Sequence, residues 1–302
     1  RKRAAEQPVT LVIEDLQWAD PSTVDWLGLS IEALAAAPCL ILLTARPGFA
    51  PSWLTSAEGK ARLAPQTLTP LTAEEVDHLV RDMTGARALD DGLRKRIVAE
   101  TDGVPLFAEE LTKAVLEQGA GVRTAIPSTL VDSLAARLEH LGPARETAQW
   151  AAAIGREFTH SVLQAVMAVD EPRLKADLAR LIEAELVMPI AATSQDVAYF
   201  ISAAGAPAPQ RYSFKHSLVQ EAAYGSLPKR ARQEHHRRVA EALETQFPRM
   251  VETRPEVVAA HYANGGAQAK AVDFYVRAGE RARSQGATLE AKNFFNRAFD
   301  LL

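Results

Sequence analysis

Two short, uninterrupted apolar runs lie near the start of the chain, at residues 9–14 (VTLVIE) and Cys39–Arg46 (CLILLTAR). Runs of this length are typical of strands in a sheet covered on both faces. Between them Asp20-Pro21 predicts a helix start, since Asp caps free N–H groups and Pro fits the first turn. Apolar residues at helical spacing then continue to about Ala37. Strand, helix and strand in this order predict two parallel strands with a right-handed crossover, and therefore an α/β sheet.

A third short strand is predicted at Gln66–Leu68, after which helical patterns dominate. The segment Thr72–Gly85 opens with Thr, carries Glu three residues later and ends on Gly, which predicts a capping box and a helix stop. Leu89–Gly119 reads as two helices around the tripeptide Gly-Val-Pro. These segments predict a small helical domain.

Helices from about Ile126 are followed by two strand patterns, Leu186–Thr193 and Arg211–His216. Helices followed by a β-hairpin are typical of a winged-helix domain. The segment between the strands, Ser194–Gln210, is long and rich in Ala, Gly and Pro, so we expect it to be partly mobile. From about Val219 the chain reads as helical.

The last 35 residues carry the alternation of small and large residues that is typical of a tetratricopeptide helix pair. The matching positions are Tyr275, Ala278, Gly279, Ala282, Ala291, Phe295 and Ala298. A single unit of this kind cannot bury its faces, so further units are expected after Leu302.

The composition is that of an ordinary globular protein, with 302 residues, 47% hydrophobic and 24% charged. A net charge of -4 gives no general attraction to nucleic acid or to an anionic membrane. The single cysteine, Cys39, excludes a disulfide framework and a cysteine-based zinc site, and it favours a reducing, cytoplasmic location. We find no signal peptide and no apolar stretch long enough to span a membrane. The chain begins at Arg1 and ends at Leu302 within a helical pattern, which predicts a piece of a longer protein.

Charged residues stand at the ends of both predicted strands. Glu14 and Asp15 follow the first strand, and Arg46 ends the second. Parallel sheets bind ligands beyond the carboxyl ends of their strands, where carboxylates suit Mg²⁺ and a cation suits a terminal phosphate. Alone, Glu14-Asp15 is more simply interpreted as a surface turn, and Arg46 as a solvated residue before Pro47-Gly48. Together they are more specific for a Mg-nucleotide.

Three other features have both a structural and a functional interpretation. Gly103 and Pro105 form a rigid apolar turn that suits a nucleotide base, although a plain helix-helix turn needs no ligand. His216 opens a helix after a strand, where a lone His is more often packed than bound to a ligand. The basic stretch Lys229–Arg238 suits DNA, although such runs are usually solvated helix faces.

The sequence G-x-x-x-x-G-K-[ST] does not occur in the chain. This loop supplies the backbone N–H groups and the lysine that hold nucleotide phosphates. We therefore expect the 302 residues alone to have negligible affinity for ATP.

Seven segments occur in a characteristic order: LVIEDLQWADPST, LILLTARPGF, GVPLFAEELTKAVLEQG, IPSTLVDSLAARLEHLG, AAAIGREF, YSFKHSLVQEAAYGSL and HRRVAEALE. This order resembles AAA-16-like signal-transduction ATPases of the STAND class. It is most similar to the ATPase, winged-helix and tetratricopeptide part of bacterial proteins that often carry a class III adenylate/guanylate cyclase domain. The cyclase attachment is suggested only loosely, since related regulators carry other effectors.

The resemblance implies a mixed fold with four parts. They are the C-terminal half of a P-loop ATPase core with Walker B and sensor 1 (residues 1–70), an all-α lid (71–125), a winged-helix-like domain (126–230), and a helical linker with the first tetratricopeptide-type repeat (231–302).

The resemblance also implies roles for individual residues with ATP or ADP and Mg²⁺. Glu14 takes the Mg-coordinating Walker B position, through water, and Asp15 polarises the attacking water and supports the metal. Arg46 reads the γ-phosphate. Gly103 and Pro105 pack near the adenine, and His216 touches the ADP β-phosphate in a closed state. Glu14 stands where the broader class more often has Asp, so its carboxylate lies one methylene further out.

The function implied is a nucleotide-dependent signalling switch that hydrolyses ATP slowly in the full-length protein. The repeat array would sense a protein or a small molecule, and the switch would control the attached effector. Two alternatives stay open: a transcription regulator whose winged helix or basic stretch contacts DNA, and a non-hydrolysing scaffold. The net charge argues against DNA, and no membrane contact is expected.

Overall fold

The computed structural model describes residues 6–55, 63–85, 89–118, 129–191 and 210–302. The chain divides into two compact units. One comprises Arg1–Leu68 and Tyr275–Asp300, and the other Thr69–Phe274 and Leu301–Leu302. The four-part division expected from the sequence is finer than these two units and stays a prediction. The connection expected to be mobile lies outside the described residues, apart from its last residue, Gln210.

The first unit begins with the strand, helix and strand expected from the sequence. Strand β1 (Val9–Ile13) pairs in parallel with β2 (Cys39–Leu43), and helix α1 (Pro21–Leu34) connects them. The carboxylate of Asp20 caps α1 by accepting the backbone N–H of Thr23 across 2.8 Å. The predicted β-α-β unit and its parallel pairing are confirmed, and the helix ends earlier than about Ala37 because the chain turns after Leu34.

Two strand predictions in this unit are wrong. Residues alternate between half-buried and exposed along β1 and β2, so Val12, Leu40 and Leu42 lie exposed on one face. Among the described residues the sheet is therefore not covered on both faces. Gln66–Leu68 forms no strand, and Leu68 is 93% exposed. An apolar residue without a neighbouring strand gains neither a ladder of hydrogen bonds nor burial.

A glycine allows the following segment to pack on α1. The short helix α2 (Ser52–Thr55) carries Trp53, whose indole N–H donates to the carbonyl of Val24 across 2.9 Å. A Cβ on Gly28 would lie 2.5 Å from the Trp53 ring. The absence of a side chain at Gly28 is therefore what lets the indole lie on the helix.

In the second unit, the segment predicted to form a lid contains three helices: α3 (Ala73–Thr84), α4 (Asp91–Glu100) and α5 (Pro105–Gln118). The predicted capping box is confirmed, since the Thr72 hydroxyl accepts the Glu75 N–H and the Glu75 carboxylate accepts the Thr72 N–H. The buried residues that form the core between these helices are Val76, Val80, Ile97, Phe107, Ala108 and Leu111.

The following segment combines helices with a small sheet. Its elements are α6 (Leu130–His140), α7 (Pro143–Ile154), β3 (Glu157–Thr159), α8 (His160–Met167), α9 (Glu171–Glu183), β4 (Val187–Ile190) and β5 (Arg211–Phe214). The three strands are antiparallel in the order β3-β5-β4. The sequence predicted β4 and β5 but not β3, which is only three residues long.

The remaining helices are α10 (Ser217–Gly225), α11 (Lys229–Gln246), α12 (Pro248–Thr253), α13 (Pro255–Asn264), α14 (Gln268–Ser284) and α15 (Thr288–Phe299). The last two form the helix pair predicted from the spacing of small and large residues. A Cβ on Gly279 would lie 2.5 Å from the Phe295 ring, so this glycine admits the phenyl group of the facing helix. None of the described helices is long and apolar enough to cross a membrane.

Candidate functional site

The two strand ends of the first unit are held together by hydrogen bonds to Thr44. Its backbone N–H donates to the carbonyl of Ile13, and its carbonyl accepts the N–H of Leu16, each across 3.0 Å. Its hydroxyl accepts the N–H of Asp15, also across 3.0 Å. A residue directly after β2 thus determines the path of the chain directly after β1.

Gln17 connects the predicted carboxylate to the segment that carries the predicted cation. Its side-chain amide donates to Oδ1 of Asp15 across 3.2 Å, and its amide oxygen accepts the backbone N–H of Arg46 across 3.0 Å. Asp15 and Arg46, predicted to lie at neighbouring strand ends, are therefore joined through a single side chain. Sequence reasoning missed Gln17 and Thr44, although a polar residue directly after an apolar strand was a signal for Thr44.

Asp15 itself has an unusual backbone conformation. Its φ of 57° and ψ of 44° lie in the left-handed region, where Asp is tolerated better than most residues. A short 3-10 turn, Leu16–Trp18, follows, and Leu16 is buried below it. The preceding residue, Glu14, is exposed. The bend therefore presents two adjacent carboxylates at the edge of the sheet.

The side chain of Arg46 is directed toward an exposed aromatic ring. Its guanidinium carbon lies 5.8 Å from the ring centroid of Trp18, which is 75% exposed. This distance fits a cation–π contact, which contributes about 0.5–1 kcal/mol at an exposed site. A contact this weak leaves the guanidinium able to move toward a bound anion.

The donor set at this edge fits Mg²⁺ in the way that nucleotide sites use it. No group of three or more His, Cys, Asp or Glu side chains in the described ranges is placed to hold a metal ion. Mg²⁺ at phosphates keeps several waters and takes only one or two carboxylates. Glu14 and Asp15 supply that number.

In the second unit, Gly103 is fixed by close packing of the chain. Its φ is 71°, and a Cβ would lie 2.2 Å from the carbonyl oxygen of Leu71. Its own carbonyl accepts the N–H of Leu71 across 2.8 Å. The backbone therefore explains this glycine without a ligand. Val104 and Pro105 follow as an exposed apolar turn, and Pro105 is the first residue of α5.

His216 lies half-buried at the N-terminus of α10, where its side chain caps no backbone N–H. Burial lowers its pKa, and the nearby cations Lys215, Lys113 and Arg156 lower it further, while Glu109 opposes them. Glu109 and Lys113 lie on α5, the helix that Pro105 begins. Helix α5 thus begins at Pro105 and carries two of the charged groups that affect the pKa of His216.

The six predicted site residues fall into two groups. Glu14, Asp15 and Arg46 lie in the first unit, at adjoining strand ends, whereas Gly103, Pro105 and His216 lie in the second.

The basic stretch on α11 has structural partners. The guanidinium of Arg232 donates to the Leu227 carbonyl across 2.9 Å and lies over the ring of Tyr224. That of Arg238 lies 4.9 Å from the ring centroid of Trp150, and Arg237 pairs with Glu234. These contacts account for three of the basic residues without DNA.

A buried histidine pair joins α11 to α13. The Nδ1 atoms of His236 and His261 lie 2.9 Å apart, and Nε2 of His236 lies 2.8 Å from the Tyr224 hydroxyl. Burial lowers the pKa of His236 to about 4 and that of His261 to about 3. Both rings are therefore neutral at pH 7, when one ring donates to the other.

Comparison with known proteins finds similar proteins but no matching family. No protein-family model matches the chain. An uncharacterized protein of Rhizobium meliloti (strain 1021) is 28% identical over 304 residues, which cover 97% of this chain and 28% of the relative. The chain thus spans under a third of that relative's length.

Among solved structures, the crystal structure of a Signal Transduction ATPase with Numerous Domains protein with a tetratricopeptide repeat sensor, from Pyrococcus horikoshii, is similar over 97% of this chain and 49% of that one. Its TM-score is 0.44 and its sequence identity 10%. Neither match assigns the chain to a family.

Proposed function

We propose that this chain is part of a nucleotide-controlled signalling switch that binds ATP with Mg²⁺ and hydrolyses it slowly in the full-length protein. The observation that carries the proposal is the hydrogen-bonded connection from Asp15 through Gln17 to Arg46. This connection joins two chain segments, one with a carboxylate and one with a guanidinium, at one edge of a parallel sheet, where α/β proteins bind ligands.

In the proposed site, Glu14 and Asp15 would hold Mg²⁺, with Glu14 acting through water, and the bound ion would supply positive charge to the phosphates. The carboxylate of Asp15 accepts a hydrogen bond from the attacking water and orients it. The bond from the Gln17 amide restricts the Asp15 carboxylate to one orientation, which favours a fixed position for that water.

Arg46 is proposed to leave Trp18 and contact the terminal phosphate. A guanidinium forms two parallel hydrogen bonds to a phosphate, and these are stronger than an exposed cation–π contact. The presence or loss of that phosphate would thus determine where Arg46 lies. Because its backbone N–H is bonded to Gln17, the change would reach the loop that carries Asp15.

We propose that the second unit also carries groups that recognise a nucleotide. The exposed turn formed by Val104 and Pro105 offers an apolar surface to the adenine. His216 lies at a helix N-terminus near Lys113, Lys215 and Arg156, an electropositive setting that suits the β-phosphate of ADP. The helix-strand-helix-helix-strand-strand order from α7 to β5 supports a winged helix as the element that carries this histidine.

A switch of this kind works when its two states differ in affinity for the two nucleotides. We propose that ADP favours the state in which His216 contacts the nucleotide, and that ATP releases it. The helix pair α14–α15 would belong to an array that senses a protein or a small molecule. The attached effector, of which a class III adenylate/guanylate cyclase is one candidate, would read the outcome. We place the switch in the cytoplasm.

The test uses the polypeptide extended upstream to include a phosphate-binding loop. Isothermal titration calorimetry with Mg-ATP should show binding, and Asp15→Ala should lower the hydrolysis rate by roughly 100-fold or more. Asp25→Ala on the exposed side of α1 is the matched control and should leave the rate unchanged. Absence of ATP binding would refute the switch, and an unchanged rate in Asp15→Ala would refute the catalytic assignment.

The 302-residue chain by itself should bind ATP negligibly in the same calorimetric titration. Submicromolar affinity of this chain would show that the site needs no phosphate loop, and the proposed mechanism would then be wrong.

A further inference from the structure

The bend between α9 and β4 is fixed in space by its backbone. Glu185 has a φ of 55°, in the left-handed region, and its N–H donates to the Ile182 carbonyl across 2.9 Å. The next residue, Leu186, is buried and donates its N–H to the Leu181 carbonyl across 3.0 Å. The backbone of Glu185 therefore has a defined position, although its side chain is about half exposed.

The carboxylate of Glu185 connects two elements that are distant in sequence. Its Oε2 accepts hydrogen bonds from Lys113 on α5 and from Lys215, which directly follows β5. The Lys215 Nζ lies 2.9 Å from this oxygen. These two lysines lower the pKa of Glu185 to about 2. The carboxylate is therefore ionised at pH 7 and holds both ammonium groups.

A second, buried ion pair holds the same bend from behind. Arg137 pairs with Glu110 on α5 and also donates to the carbonyl of Ala184 across 2.7 Å. Helix α5 thus supplies two anchors to this bend: Glu110 through Arg137, and Lys113 through Glu185. Glu110 and Lys113 lie on one face of α5, with Lys113 Nζ 3.8 Å from Glu110 Oε1, so both anchors belong to one network.

His216 adjoins this network, since it follows Lys215 in the chain. The charged groups that affect it are Lys215, Lys113, Arg156 and Glu109. Two of these, Lys113 and Lys215, are the lysines that Glu185 holds. The residue that precedes His216 is therefore tied to α5 by a carboxylate that lies 31 residues before the histidine in sequence.

We propose that Glu185 is a positioning residue that ties the end of β5, and with it the backbone of His216, to α5 in the geometry that recognises a nucleoside diphosphate. This inference rests on the proposed function. The new element is that Glu185 sets the ratio of ADP affinity to ATP affinity without contacting the nucleotide. It does so because it fixes the end of β5 to α5, the helix that begins at Pro105.

The first experiment needs no nucleotide. The pKa of His216 is measured by NMR titration of the 302-residue chain, with Glu185→Gln, Glu185→Asp and the control Glu183→Gln on exposed α9. Glu185→Gln removes the carboxylate that Lys113 and Lys215 share, although Lys113 keeps the Glu110 carboxylate 3.8 Å away, so the pKa of His216 should fall by roughly half a unit or more. Glu185→Asp should restore most of it, and Glu183→Gln should change nothing. An unchanged pKa in Glu185→Gln overturns the inference.

The second experiment measures ADP and ATP affinity of the upstream-extended polypeptide. If Glu185 positions the site, Glu185→Gln should lower the affinity for ADP by about tenfold and the affinity for ATP by much less. A purely electrostatic role predicts the opposite sign, because removing a carboxylate makes the site more positive; tighter ADP binding would therefore overturn the inference. Lys113→Gln should reproduce the weakening and should not add to it in the double variant.

The two experiments separate the possible failures. If the pKa of His216 shifts as expected but the extended polypeptide binds no nucleotide, the proposed function fails, and the inference fails with it. If nucleotide binds and the ratio of ADP to ATP affinity is the same in Glu185→Gln, only the positioning role is refuted. Melting curves of Glu185→Gln and Lys113→Gln check that these variants fold.

Discussion

The hydroxyl of Thr44 accepts the backbone N–H of Asp15 across 3.0 Å, although the two residues lie 29 positions apart. Each residue follows the end of one of two neighbouring parallel strands. The bond has a consequence for Asp15, which has a left-handed backbone. Since this conformation costs about 1 kcal/mol or more for a residue with a side chain, a neighbouring group has to hold it.

Replacing Thr44 by Val removes the hydroxyl while keeping the β-branched shape. We expect the free energy of unfolding to fall by about 1 kcal/mol, the usual contribution of one hydrogen bond. In the extended polypeptide, ATP hydrolysis should fall by roughly tenfold or more, because the Asp15 carboxylate loses its fixed position. Denaturant unfolding and steady-state hydrolysis measure the two effects. The exposed Thr67→Val is the control, and hydrolysis equal to wild type would show that the bond does not position Asp15.

Gly103 should tolerate no side chain. In Gly103→Ala the new Cβ would have to move away from the Leu71 carbonyl, and the φ of 71° adds strain. We expect a loss of roughly 2–4 kcal/mol in unfolding free energy. Gly266→Ala is a matched control, because its φ is 77° and a Cβ there meets nothing within 4 Å; it should cost only about 1 kcal/mol. Equal losses in the two variants, measured by urea denaturation, would contradict the close approach.

The histidine pair should make stability depend on pH. The pKa values of His236 and His261 are lowered from 6.5 to about 4 and about 3 in the folded chain. The unfolded chain therefore takes up protons that the folded chain excludes as the pH falls below 6.5. This contribution to stability is complete above that value and is lost progressively down to about pH 3, by several kcal/mol.

Urea denaturation between pH 7.5 and 4.5 measures this slope. His261→Gln should flatten it, whereas His78→Gln, at an exposed position, should leave it unchanged. An unaltered slope in His261→Gln would mean that the buried pair does not cause the pH dependence.

The pair formed by Glu110 and Arg137 should be costly to break on one side only. Both side chains are about 95% buried. Glu110→Ala leaves a buried guanidinium without its carboxylate, so we expect a loss of roughly 3–5 kcal/mol. The exposed pair of Arg173 and Glu146 is the comparison, and Glu146→Ala should cost less than about 1 kcal/mol. Thermal melts of the two variants should separate clearly, and similar melting temperatures would contradict the assigned burial.

The sequence predicted the elements whose signals are local. The Asp20 cap, the Thr72–Glu75 capping box and the parallel pairing of β1 with β2 all follow from residues within a few positions or from the length of an apolar run. Strands without such a signal were misjudged. Gln66–Leu68 has no partner strand among the described residues, and β3 is paired although it is only three residues long.

The site was predictable in part. The positions of Asp15 and Arg46 at neighbouring strand ends follow from the β-α-β pattern, because parallel strands end at the same edge. The roles of Gln17, Thr44 and Glu185 do not, since each depends on a hydrogen bond to a residue about 30 or more positions away. Gly103 shows a further limit: two interpretations were open from its neighbours in the chain, and the contact with Leu71 explains the glycine by packing.

The central claim is that Asp15 and Arg46 act on one nucleotide, and a double-mutant cycle on ATP hydrolysis by the extended polypeptide tests it most directly. Asp15→Ala, Arg46→Ala and the double variant are compared with wild type. Groups that act together are strongly non-additive. We predict that the double variant is hardly slower than Asp15→Ala alone. Effects that multiply in full, or an Arg46→Ala rate equal to wild type, would contradict the claim.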